Sequence, residues 1–128
     1  MELTVDVIQK ARGVYMIQPA GLLNSSTFAI LDKEVDDILA KSPNLLVLDL
    51  ERLEYLSSAG LRVILKAREA LRKNNARLVF MNLQPQIRKV FDIVSALPSM
   101  QIFKNIEELD DYLDVMQKKV KSGASPDA

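Results

Sequence analysis

The sequence contains no cysteine and no histidine. The absence of cysteine excludes disulfides, thiolate nucleophiles and sulfur-ligated metals. The absence of histidine excludes a Ser-His-Asp triad, a histidine general base and nearly all forms of zinc catalysis. A chain without either residue is a poor candidate for a hydrolytic enzyme. We therefore expect a protein that is not an enzyme and that holds no cofactor and no metal.

An excess of charge of one sign is also missing, because 17 lysines and arginines balance 17 aspartates and glutamates. No global field therefore favours nucleic acid or an anionic membrane surface. No apolar run approaches the roughly 18 residues of a membrane span, and the first residues show neither a basic start nor an apolar signal core. We expect a cytoplasmic protein that binds no nucleic acid and does not insert into a membrane.

What is present fits one globular domain. The chain has 128 residues, of which 48% are apolar and 27% are charged, an ordinary balance for a folded core with a solvated surface. The stretch Ser122-Gly123-Ala124-Ser125-Pro126 has the composition of a loose end. We therefore assign a single domain to residues 1–120 and a flexible C-terminal tail to residues 121–128.

The chain is organised around the stretch from Leu45 to Leu71. An unbroken apolar run follows Pro43-Asn44 and is typical of a strand covered on both faces in a parallel sheet: Leu45-Leu46-Val47-Leu48. After a polar turn, helical spacing begins at Ser58, with apolar positions at Leu61, Ile64, Leu65 and Leu71. The serines therefore lie where a central strand gives way to a helix, at the sheet edge where open α/β proteins meet ligands and partners.

Strand and helix patterns alternate along the rest of the chain. Leu3–Val7 and Val14–Ile17 predict an antiparallel pair, with Pro19 ending the second strand. Asn24–Thr27 is a cluster of N-cap residues ahead of an amphipathic helix. The later segments predict a strand, a helix, a short edge strand and a last helix, at Leu78–Met81, from Pro85, at Ile102–Phe103 and over Ile106–Val120. The fold class is therefore α/β in the order ββαβαβαβα, a mixed four- to five-stranded sheet with helices layered on it.

The residues alone leave two interpretations of Ser57 and Ser58 open. Serines commonly cap helices, and the small Ala59 and Gly60 suit a turn that packs closely against a neighbour. Alternatively, one serine carries a phosphate, which adds about −1.5 to −2 charges and which a helix N-terminus accommodates. Such a phosphate would block a partner while leaving the fold intact. Arg62, one turn after Ser58, could pair with it.

Other clusters offer weaker candidates. Acidic residues in the first turn of a helix are most often a solvated face that complements the helix dipole. We interpret four residues in this way rather than as a metal site: Glu107, Glu108, Asp110 and Asp111. Gly21 and Gly60 do not form a GxGxxG fingerprint, and the chain has no GKS or GKT phosphate loop.

Several motifs resemble those of STAS domains, the family of bacterial anti-sigma factor antagonists and of the cytoplasmic domains of sulfate transporters. The core motif is carried by Leu48-Asp49-Leu50, Tyr55-Leu56-Ser57-Ser58-Ala59-Gly60-Leu61 and Val63-Ile64-Leu65. Two further matches have the family's spacing: Gly21-Leu22-Leu23-Asn24 before the first helix, and Pro85 with Ile87, Val90, Phe91 and Asp92. The resemblance covers nearly the whole chain.

The resemblance implies that the protein binds an anti-sigma factor that is also a serine kinase. In such members the kinase uses ATP to phosphorylate the serine that opens the second helix, which abolishes binding, and a PP2C-type phosphatase restores it. On this chain the acceptor is Ser58, with Ser57 as the second choice. The expected partner surface comprises Asn24, Ser57, Ser58, Gly60, Leu61 and Arg62. We expect a monomer or a weak dimer.

Three positions depart from the family pattern. Ser57 and Asn24 stand where Asp is usual, which lowers repulsion toward a phosphate and could weaken recognition by the usual kinase. Ala96 stands where many members have Gly. These departures motivate a second hypothesis, a constitutive, non-phosphorylated STAS interaction module of a transport, stress or signalling complex. A third, an enzyme with Ser58 as its nucleophile, lacks a base that the sequence places nearby.

The phosphorylation hypothesis makes two structural demands on Ser58. Its hydroxyl must be accessible at the mouth of the scaffold, because a kinase has to reach it. Its environment must also accept a negative charge, so that Ser58→Asp would leave the melting curve nearly unchanged.

Overall fold

Residues 2–96 and 105–123 of the chain are described by a computed structural model, and they form five strands and four helices. In chain order the elements are β1 (Leu3–Ala11), β2 (Val14–Leu23), α1 (Phe28–Leu39), β3 (Leu45–Asp49), β4 (Leu53–Leu56), α2 (Ser58–Lys73), β5 (Arg77–Met81), α3 (Pro85–Ala96) and α4 (Ile106–Lys121). Among these described residues, no helix combines the length and the apolar character needed to cross a lipid bilayer.

Strand β2 ties the sheet together because it pairs with three other strands. On one side it runs antiparallel to β1. On the other side it runs parallel first to β3, up to the pair Ile17–Leu48, and then to β4, from Gly21 onward. Strand β3 also pairs in parallel with β5, so the order is β1-β2-β3-β5 with β4 beside the second half of β2. The mixed five-stranded sheet with its four helices confirms the predicted α/β fold class.

The prediction that β2 ends at Pro19 is wrong, because the strand continues to Leu23. Pro19 has no N–H to donate, yet it costs the sheet little at this position. The pairing with β3 stops at Ile17 and the pairing with β4 starts at Gly21, so none of the described strands lies beside Pro19 on that side. Pro19 therefore marks the change of partner within β2, not the end of the strand.

The segment interpreted as a polar turn contains strand β4, which the sequence pattern did not predict. Strand β4 has only four residues, and two of them, Glu54 and Tyr55, are polar and half-buried. Its two ends, Leu53 and Leu56, are buried in the core. The predicted short strand at Ile102–Phe103 lies outside the described residues, as does most of the predicted tail at 121–128; helix α4 continues through Lys121.

A single hydrophobic cluster joins the sheet to all four helices. Each fully buried leucine or isoleucine side chain contributes roughly 1.5–3 kcal/mol. The helix residues in the cluster recur at helical spacing, as at Leu31, Val35 and Ile38 of α1. Gly60 lies where α2 meets β2 and β4, and a Cβ there would overlap the Leu23 side chain. Its small size lets the start of α2 approach the sheet closely.

Gln117 fastens α4 to the last residue of β4. Its side chain is fully buried, with Oε1 accepting from the Leu56 N–H at 2.9 Å and Nε2 donating to the Leu56 carbonyl at 2.8 Å. The amide therefore satisfies both backbone groups of Leu56, as a neighbouring strand would. This contact fixes the position of α4 relative to the end of β4, the strand that leads into α2.

Removing the Gln117 amide should destabilise the fold, because it leaves both Leu56 backbone groups buried without partners. We expect Gln117→Leu to lower the free energy of unfolding by about 2–4 kcal/mol in urea denaturation. The adjacent substitution Lys118→Ala removes only an exposed ion pair with Asp114 and should change it by less than about 1 kcal/mol. Equal effects of the two substitutions would contradict the role assigned to Gln117.

Candidate functional site

Ser57 lies between the end of β4 and the start of α2. It has extended backbone geometry (φ −96°, ψ 175°), and its Oγ accepts a 3.5 Å hydrogen bond from the Gly60 N–H. Its own N–H donates to the Leu23 carbonyl at 2.9 Å, continuing the pairing of β2 with β4. The side chain is buried. The helix-cap interpretation is therefore correct for Ser57.

Ser58 is held by a carboxylate from α4. Its N–H donates to Oδ1 of Asp110 at 2.8 Å, and its Oγ donates to Oδ2 of the same residue at 2.9 Å. Ser58 is only 5% exposed. The expectation of a hydroxyl standing open at the mouth of the scaffold is thus wrong, because the residue is buried and its hydroxyl is bonded to Asp110. Helix α2 has no acidic residue in its own first turn, so Asp110 supplies the negative charge that its N-terminus favours.

The interpretation of the acidic cluster therefore needs a correction at one residue. Glu107, Glu108 and Asp111 are exposed, as expected of a solvated first turn. Asp110 is half-buried and makes the two contacts with Ser58 across 52 positions of sequence. A clue was present in the sequence, since Gln117 interrupts the apolar face of α4 and lies two turns from Asp110 on the same side. Within the described residues, no group of acidic side chains is arranged to hold a metal ion.

Asn24 lies in the loop between β2 and α1, close to the start of α2. Its Oδ1 accepts from the Ser26 N–H at 2.9 Å, and its Nδ2 donates to Glu2 at 3.3 Å. Asn24 and Ser57 line the same open cavity of about 540 Å³, which Asp110 also lines. The structure thus brings these two predicted residues together. They meet because Leu23 and Leu56, one residue before each, are paired in the sheet.

The remaining predicted partner residues divide into buried and exposed ones. Gly60 and Leu61 are buried, so their assignment to a partner surface is wrong and they serve packing instead. Arg62 is exposed and lines a second groove of about 400 Å³ with Phe28, Asp32, Ala59, Val63 and Lys66. No hydrogen bond or ion pair joins Arg62 to Ser58 in the part of the chain that is described. The predicted phosphate-pairing role of Arg62 stays a prediction.

Tyr55 has the most strongly perturbed side chain at this site. Its pKa is raised from 10.0 to about 12, mainly by burial, then by the charge of Asp114 and a hydrogen bond with it, with smaller effects from Asp110 and Asp111. Glu54, on the same strand, has a lowered pKa because it accepts hydrogen bonds from Gln84 and Lys121. The lining of the cavity therefore combines three carboxylates, Glu54, Asp110 and Asp114, with two lysines, Lys118 and Lys121.

The Tyr55 shift predicts a loss of stability at high pH. Since the pKa is raised in the folded state, the stabilisation is complete below pH 10 and is lost as the pH rises through 12. Denaturation curves measured across that range should show a smaller decrease of the free energy of unfolding for Tyr55→Phe than for the wild type. Identical pH dependence in the two proteins would contradict the assignment of the shift to Tyr55.

A negative charge at residue 58 should destabilise the resting structure, contrary to the expectation of an unchanged melting curve. Ser58→Asp places a second carboxylate against Asp110, and we expect a loss of about 1–3 kcal/mol. The matched control is Ser58→Asn, because asparagine has the shape of aspartate without its charge. This variant should lose less stability than Ser58→Asp. Adding Asp110→Asn to Ser58→Asp should recover much of the difference. A melting curve of Ser58→Asp that matches the wild type would contradict this.

The chain is similar to proteins of one family over most of its length. The model of the STAS domain matches residues 7–109. BtrV of Bordetella bronchiseptica, named as a candidate anti-sigma factor antagonist, is 40% identical over 93 residues, which cover 73% of this chain and 78% of BtrV.

Solved structures share the fold as well. An anti-sigma factor antagonist from Mycobacterium paratuberculosis is 26% identical with a TM-score of 0.65, over 91% of this chain and 95% of that one. The antagonist SpoIIAA in its unphosphorylated form is 19% identical with a TM-score of 0.65, over 72% of this chain and 81% of that one. The phosphorylated form of Bacillus SpoIIAA is 20% identical with a TM-score of 0.62, over 71% and 83% of the two chains. The SpoIIAA likeness concerns the fold alone. The match to residues 7–109 and the 40% identity to BtrV together show that this protein belongs to the STAS domain family.

Proposed function

We propose that this protein is an anti-sigma factor antagonist whose partner, an anti-sigma factor with serine kinase activity, releases it after phosphorylating Ser58. The observation that carries the proposal is the 40% identity to BtrV over most of both chains, together with a serine as the first residue of α2. A PP2C-type phosphatase would restore binding. The protein would act in the cytoplasm, by binding rather than by catalysis.

The start of α2 supports the choice of Ser58 as the acceptor. The Ser58 N–H already donates to an anion, the Asp110 carboxylate, so this helix end binds negative charge in the resting protein. A phosphate on the Ser58 oxygen could use the same N–H donors and the same helix dipole. Ser57 fits less well, because its Oγ caps α2 and its N–H belongs to the sheet.

The surface beside Ser58 has the features of a contact for a protein partner. Apolar side chains are exposed on both sides of the Asn24 loop, Leu22 toward the larger cavity and Phe28 toward the groove that contains Arg62. Exposed apolar side chains rimmed by polar groups are typical of protein–protein contacts. We define the docking surface as Leu22, Asn24, Phe28 and Arg62, with the rim of the cavity beside Ser57.

One observation favours the second candidate, a constitutive STAS interaction module. Ser58 is 5% exposed and both its N–H and its hydroxyl are engaged by Asp110. A serine so covered can be a structural part of the helix cap in a protein that is never phosphorylated. The same cover argues against Ser58 as an enzyme nucleophile, because no substrate carbonyl could approach its oxygen.

Binding and phosphorylation assays with the cognate kinase separate the two candidates. We expect Phe28→Ala to weaken binding about tenfold, since it removes an apolar contact at the docking surface. The control Ile8→Ala removes an equally exposed apolar side chain from the sheet face opposite the core residue Leu3, and should bind normally. Titration calorimetry with the kinase measures the affinity of both variants.

Incubation with ATP and the kinase should add one phosphate to the wild type and none to Ser58→Ala, by mass spectrometry. Binding that depends on Phe28 without any phosphate on Ser58 would support the constitutive module and reject the switch. Binding unaffected by Phe28→Ala would reject the docking surface.

A further inference from the structure

Asp110 occupies the position that a phosphate on Ser58 would need. Its two carboxylate oxygens accept from the N–H and the Oγ of Ser58 at 2.8 and 2.9 Å, which are short, charge-assisted hydrogen bonds. The hydroxyl hydrogen points at Asp110, and the residue is covered from solvent. In this arrangement the Ser58 oxygen cannot approach the terminal phosphate of a nucleoside triphosphate bound to another protein.

We propose that Asp110 is an intramolecular latch that hides Ser58 and must open before the serine can be phosphorylated. The proposal rests on the proposed function, in which Ser58 is the acceptor. Opening requires the first turns of α4 to move away from the start of α2. The rest of α4 is held independently by Gln117 on Leu56 and by buried Leu113 and Met116. The movement is therefore confined to the N-terminal half of α4, where the buried Leu109 side chain must shift together with Asp110.

The chemistry of transfer determines what happens to the latch. The Ser58 oxygen forms a bond to the γ-phosphorus of ATP, the bond from that phosphorus to the bridging oxygen breaks, and ADP leaves. The hydroxyl proton passes to a base, and with Asp110 withdrawn that base belongs to the kinase. The product carries about −1.5 to −2 charges on Ser58.

The phosphorylated protein cannot keep the closed arrangement. The phosphate and Asp110 would compete for the same N–H donor while repelling one another at hydrogen-bonding distance. Exposed Glu107, Glu108 and Asp111 add negative charge on the same turns of α4. The latch therefore stays open after phosphorylation, and the docking surface changes shape on the side of the cavity that Asp110 lines.

A thiol at residue 58 tests the latch without any kinase. Because the chain has no cysteine, Ser58→Cys introduces a single reactive group. We expect slow alkylation by iodoacetamide in this variant, and about tenfold faster alkylation when Asp110→Ala is added. Alkylation rates measured over a range of pH give the rate constant of the thiolate form. This comparison removes any effect of Asp110 on the fraction of the thiol that is ionised.

Two variants control for charge and for general loosening of α4. Asp110→Asn keeps an amide that can reach both atoms of residue 58, and should stay within about threefold of Ser58→Cys alone. Asp111→Ala removes the neighbouring exposed carboxylate and should have no effect. Amide exchange of the Leu56 N–H, which Gln117 holds, checks that α4 remains docked. Equal alkylation rates with and without Asp110→Ala would overturn the latch.

Phosphorylation by the cognate kinase then separates the latch from the proposed function. We expect Asp110→Ala to be phosphorylated about tenfold faster than the wild type or Asp111→Ala. Equal rates in all three proteins would overturn the latch and leave the proposed function standing. No phosphate in any of them, with the alkylation result as expected, would reject Ser58 as the acceptor and leave Asp110 as a cover of the helix cap.

Discussion

The start of α2 depends on a carboxylate that its own sequence does not provide. The first turn of the helix contains no acidic residue, so the positive end of its dipole and its free N–H groups need a negative partner from elsewhere. Asp110 provides it from α4 with two hydrogen bonds to Ser58. One contact thereby joins the cap of α2, the position of α4 and the accessibility of the candidate phosphorylation site.

The geometry around that contact follows from the register of the sheet. Leu23 and Leu56 are paired between β2 and β4, so the loop that starts at Asn24 and the helix that starts at Ser58 leave the sheet side by side. Gly60 allows α2 to approach closely enough for this, because a side chain there would overlap Leu23. Gln117 then holds α4 against Leu56. Asp110, two turns earlier on α4, consequently reaches Ser58.

The sequence predicted the features that depend on local patterns and missed those that depend on distant contacts. Helix periodicity located all four helices, and the meeting of Asn24 with Ser57 follows from parallel strands that end at one edge. Strand β4 was missed because four residues with two polar positions carry little periodic signal. Pro19 was misjudged because its tolerance depends on where the partner strands stop and start. The partner of Ser58 is 52 residues away, and the one local clue, Gln117 on the same side of α4 as Asp110, does not by itself point to Ser58.

The cover over Ser58 changes what a phosphate does in such a protein. On an open serine, the charge would only repel a partner laid over it. On a covered serine, the phosphate and Asp110 compete for one helix end, so the state of Ser58 and the position of α4 become linked equilibria. Linkage is reciprocal. A partner that holds α4 closed therefore disfavours the phosphorylated form by the same free energy with which the phosphate weakens that partner's binding. In the latched protein, docking and modification oppose each other through α4 even where the partner never touches the Ser58 oxygen.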